Sequence, residues 1–75
     1  MRAPHDLNEQ KLVIADRRIE AGERRTAEQR VRIMRMHNLG LDTWEAEWLL
    51  HEFEQILLEM SRHRQMIVDR MQGAA

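Results

Sequence analysis

From Ala46 to Met71 the side chains that avoid water recur at alternating steps of four and three. They are Ala46, Leu50, Phe53, Leu57, Met60, Ile67 and Met71, with Arg64 standing once in their place. A mean step of 3.5 residues puts all of them on one stripe of an α-helix. A strand, with its period of two, would scatter them over both faces. A helix carrying such a stripe is marginal alone in water and needs an apolar neighbour.

The first half of the chain holds a thinner stripe with the same alternation: Leu12, Ala15, Ile19, Gly22, Thr26, Gln29, Ile33 and Met36. Between the stripes lies Asn38-Leu39-Gly40-Leu41, where Gly40 suits the left-handed position that closes a helix. Two start signals share one form. Asp6-Leu7-Asn8-Glu9 and Asp42-Thr43-Trp44-Glu45 each set an N-cap Asp three residues before a Glu, as in a capping box. Pro4, the one proline, falls before the first of them. The spacing predicts an all-α fold in which residues 1–75 form a single domain. The first helix covers about 7–39, a turn 40–42, and the second helix about 43–72. So short a turn makes the two helices antiparallel neighbours, a coiled-coil-like hairpin.

Folding at Gly40 pairs positions whose numbers add to roughly 82, so that Gly22 faces Met60, Thr26 faces Leu57 and Gln29 faces Phe53. Small residues opposite large ones fill a close seam, and close approach is the compensation for a mid-helix glycine, which costs ~1 kcal/mol relative to alanine. Gln29 is polar within the seam and needs a hydrogen-bond partner. Arg64, opposite Ile19, is expected to reach Glu20 or Glu23 while its stem packs.

Charge agrees with the pairing. The chain has a net charge of -1, yet residues 11–37 hold eight Lys or Arg against four acids, and residues 40–75 seven acids against three Arg. Opposite signs in two segments favour their lying together. Lys11, Arg18, Arg25 and Arg32 recur every seven residues on the first helix, and Glu45, Glu52 and Glu59 on the second. On the other flank Arg30 is expected to meet Glu54, and His37 to meet Glu47.

Seventy-five residues without cysteine bury a modest core with no covalent staple. On the second helix Leu49, Ile56 and His63 widen the stripe beyond what one partner helix covers. A homodimer, giving a four-helix bundle, is the expected remedy. No signal pattern opens the chain and no apolar run approaches the ~18 residues of a membrane span, so the expectation is a cytoplasmic protein with no membrane partner.

Several short stretches resemble a family of short, uncharacterised helical-hairpin proteins of alphaproteobacteria. They are Ile19-Glu20-Ala21-Gly22-Glu23, Gln29-Arg30, Gly40-Leu41-Asp42-Thr43, Ala46, Leu49-Leu50, Phe53-Glu54 and His63-Arg64. The likeness spans roughly residues 7–71 and implies the hairpin and a bacterial cytoplasmic setting. It implies no chemistry. Trp44 and Trp48 stand where that family has smaller or polar residues.

Candidate chemistry is thin. Glu47 and His51 share a helix face, with His37 expected across from Glu47, and three such groups could hold Zn²⁺. The di-iron bundle pattern needs Glu three residues before His, however, and His37, His51 and His63 all lack it. A solvated charged surface is the favoured reading, with no metal and no cofactor. Phosphorelay bundles usually place Lys three residues after their His; here Gly40, Glu54 and Met66 occupy those places. Ser61 and His63, two apart, do not face each other on a helix, so no nucleophile is paired with a base and no catalytic residue is assigned. The basic stripe Lys11, Arg18, Arg25, Arg32 could track phosphates. Interspersed Glu20, Glu23 and Glu28, and the lack of aromatics for base stacking, favour an internally paired or solvated face.

Trp44 and Trp48 lie one turn apart, off the seam. They close the turn end over Leu39 and Leu41, sit in the homodimer contact, or serve a contact with another protein. The expectation is thus a non-enzymatic, self-associating interaction or regulatory module. Trp44, Trp48, Leu41, Leu49 and Ile56 are its partner-binding residues, and a nucleic-acid-associated protein using the basic stripe is the alternative.

Overall fold

The computed structural model describes residues 4–73, folded as two α-helices, α1 (Pro4–Asn38) and α2 (Trp44–Gly73), that pack against each other. They run antiparallel, since contacts tie Gln29 to Ala46, Arg30 to Glu54 and Asp16 to Arg64. The described residues include no strand. The hairpin measures 59 × 18 × 12 Å, so it is a single helix thick.

Both helix starts differ from the expected positions. α1 begins at Pro4, three residues before Leu7. Proline fits the first helical position, where its fixed φ is helical and its missing N–H would have had no intrahelical acceptor. Asp6 therefore lies inside the first turn, not at the cap. At α2 the cap moves by one residue, from Asp42 to Thr43. The Thr43 carbonyl accepts the first intrahelical bond, from Glu47 N–H (2.8 Å), and its hydroxyl donates to Glu47 Oε2 (2.9 Å). Asp42 Oδ1 accepts from the Trp44 amide at 3.0 Å. The two adjacent residues thus divide the N-terminus of α2: Asp42 satisfies the free Trp44 amide, and Thr43 holds the Glu47 carboxylate over the first turn.

The end of α1 follows the glycine rule. Gly40 has φ +71°, its N–H donates to His37 C=O (3.0 Å), and Leu41 N–H donates to Met36 C=O (2.9 Å). This pair of reversed bonds is a Schellman motif, and it satisfies carbonyls that the helix end leaves over.

The expected seam is the observed one. Ala15, Thr26, Gln29 and Ile67 are buried, and every other position of the two stripes is partly buried. Thr26 is the most enclosed residue, with 2 % of its surface exposed, and its hydroxyl donates to Gly22 C=O at 2.7 Å. A Cβ built on Gly22 would stand 3.1 Å from Leu57 Cδ1 and 3.6 Å from Met60 Sδ, so the helices do approach closely there. Gln29 finds its partner across the interface, donating from Nε2 to Ala46 C=O at 2.9 Å.

Arg64 bonds Asp16, through Nε and Oδ1, and not Glu20 or Glu23. In this register Asp16 lies about 3 Å along the axis from Arg64, whereas Glu23 lies about 7.5 Å away. Glu20 is as near as Asp16 along the axis but is turned roughly 40° further from the seam.

Candidate protein-interaction surface

The two long faces of the hairpin are unlike each other. On one, α1 presents Asp16, Glu23, Arg30 and His37 at heptad spacing, and ion pairs cross between the helices. Arg30 Nη2 meets Glu54 Oε2 at 3.0 Å, as expected, and Arg64 meets Asp16. Both pairs are about half exposed, so each contributes on the order of 1 kcal/mol or less, and their effect is to select the register. The expected His37–Glu47 pair is not among the ion pairs of the described residues; Glu47 turns instead to the hydroxyl of Thr43, the residue that caps its own helix.

The opposite face is open. A groove runs along it between the Arg18–Arg25–Arg32 line of α1 and the Leu49–Ile56–His63 line of α2. Its floor is seam residues seen edge-on: Ala15, Gly22, Gln29, Ala46, Phe53 and Met60. The floor is open because Gly22, Ala15 and Ala46 lack bulk, while the walls carry long side chains. Ile56 and Leu49 remain 46 % and 39 % exposed. Arg25 lays its guanidinium 5.9 Å from the Phe53 ring centroid, a cation–π distance, and so covers part of the floor. Lys11, Arg18, Arg25 and Arg32 are all exposed, in the straight line expected. At the far side of the α2 wall stand Glu45 and Glu59, which reach into the same groove.

The turn end is apolar and uncovered. Trp44 and Trp48 are 68 % and 57 % exposed, and Leu39 and Leu41 are also exposed. The indoles therefore do not close the end over the turn leucines. Trp48 borders the groove beside Leu49, while Trp44 lies beside Met36 and Asp42.

Sequence reasoning named the groove's walls but missed its floor, because the pattern assigns Phe53, Gly22 and Met60 wholly to the helix–helix contact. Among the described residues no three His, Asp or Glu side chains gather closely enough to hold a metal ion, and no helix is long and apolar enough to cross a membrane. Comparison with family models, curated proteins and solved structures returned no match.

Proposed function

We propose that this chain is a non-enzymatic interaction module that works as a homodimer of hairpins, a four-helix bundle, in a bacterial cytoplasm. The observation that carries the reading is surface area. The hairpin exposes 6259 Å², whereas a compact monomer of its mass exposes about 4,900 Å². The excess, about 1,400 Å² per chain, is of the order that stable dimers bury. Among the described residues Ala15 and Ile67 are the only apolar ones of the four that are buried, and thirteen large apolar side chains stay exposed. One layer of helices cannot enclose them, and a second layer set on the groove would cover Leu49 and Ile56.

In this reading Leu49 and Ile56 belong to the dimer contact, and Trp44, Trp48 and Leu41 offer an apolar end patch to a protein partner. The non-enzymatic part rests on the sequence, which pairs no nucleophile with a base. Light scattering over a concentration series tests the proposal. A mass of about 18 kDa, twice the 9.0 kDa chain, that persists on dilution supports it. A stable monomer overturns it. The exposed line of Lys11, Arg18, Arg25 and Arg32 favours a second reading, a nucleic-acid-associated protein, which salt-dependent retention on immobilised nucleic acid would support.

A further inference from the structure

The open groove is charged differently along its two edges, and that difference fixes how a second copy can sit on it. The α1 edge is basic, through Arg25 and Arg32. The α2 edge is acidic: Glu45 and Glu59 line the groove, and Glu52 falls between them at the same seven-residue spacing, beyond the apolar line of Leu49 and Ile56. Inside one hairpin no ion pair joins these arginines to these glutamates, because the Ile56 line stands between them. On the opposite face the Arg30–Glu54 and Arg64–Asp16 bridges already join the two helices. The groove face thus carries a basic rim and an acidic rim that do not pair within the hairpin, with apolar surface between them.

A two-fold dimer joins the same patch on both subunits. With groove on groove, two arrangements exist. An axis across the hairpin stacks α1 on the partner's α1 and puts the turns at opposite ends, so that arginine rim meets arginine rim. An axis along the hairpin stacks α1 on the partner's α2 and puts the turns at the same end, so that basic rim meets acidic rim on both sides.

We propose, resting on the dimer reading above, that a second copy docks groove to groove about the long axis, with both turns at one end. In that arrangement Arg25 of one subunit stands about level with Glu59 of the other, and Arg32 with Glu52. Both are separated by about 3 Å along the axis, the offset of the observed Arg30–Glu54 pair. Side chains lean toward their own helix N-terminus, and on antiparallel neighbours that leaning brings each arginine and glutamate together. All four helices are then antiparallel to their neighbours. The two Trp patches meet at one pole and form a single larger apolar surface.

The chain has no cysteine, so a thiol introduced at the exposed Leu39 (Leu39→Cys) carries a spin label cleanly. Pulsed electron resonance on the labelled full chain should give a separation of roughly 10–25 Å, one to two helix diameters. A dimer whose labels stand apart by most of the 59 Å length overturns the orientation and leaves the dimer intact, whereas a monomeric mass overturns both. A second measurement tests the rims. Arg25→Glu/Arg32→Glu should weaken self-association by on the order of tenfold, and mixing it with Glu52→Arg/Glu59→Arg should restore tight pairing. A short label distance without that rescue would place the contact on another face and overturn the assignment as well.

Discussion

Gly22 offers the sharpest test of how the seam is held. Replacing it with alanine removes a residue that costs a helix interior ~1 kcal/mol, so on an open helix face the variant would gain about that much. Here the new methyl meets Leu57 Cδ1 at 3.1 Å. On a 6–12 potential with its minimum near 3.9 Å and a depth of ~0.15 kcal/mol, such a contact costs about 1 kcal/mol if nothing moves. The two effects nearly cancel, and Gly22→Ala is expected within about 0.5 kcal/mol of the parent. Removing the obstacle separates them. In a Leu57→Ala background the same substitution should stabilise by ~1 kcal/mol, a coupling that a double-mutant cycle reads directly. Urea unfolding at one fixed chain concentration is the assay, since association makes apparent stability concentration-dependent. If Gly22→Ala gains the full amount in both backgrounds, the close approach at Gly22 is refuted.

Other outcomes follow from the same geometry. Gly40→Ala forces a Cβ into φ +71° and should destabilise by about 1–2 kcal/mol, with Gly40→Asn losing less; thermal unfolding by circular dichroism checks it. Gln29→Leu removes a donor whose acceptor, Ala46 C=O, keeps its intrahelical bond. Stability should change by less than ~1.5 kcal/mol while light scattering shows a broader range of oligomers, and a loss above ~3 kcal/mol would contradict a register role. Trp44→Ala/Trp48→Ala should leave helicity and melting nearly unchanged, because both indoles are mostly exposed, and should abolish any partner capture through the turn end.

The seam was legible because a 3.5-residue period and one helix-ending glycine together fix which face is inside and which positions are opposed. Gly22 against Met60 and Arg30 against Glu54 follow from that register alone. The helix starts were less legible. Asp42 and Thr43 are adjacent and both competent to cap, and spacing alone does not separate them by one residue. The partner of Arg64 depended on a few ångströms of axial offset and a rotation of about 40° between Asp16 and Glu20. Most hidden was the inequality of the two faces. The register anticipates the Arg30–Glu54 bridge on one side and the extra width at Leu49 and Ile56 on the other, but only the packed pair shows that the second side opens on Phe53.

The turn at Gly40 also orders events in time. The cross-links along the hairpin span 17 residues at Gln29–Ala46, 24 at Arg30–Glu54 and 48 at Arg64–Asp16. Closing the longest of these from the open chain costs about 0.9 kcal/mol more chain entropy than closing the shortest. After Gln29 has met Ala46, however, each further pair encloses only the few residues added since the last. The chain is therefore built to close like a zipper from its bend, and to open from its free ends.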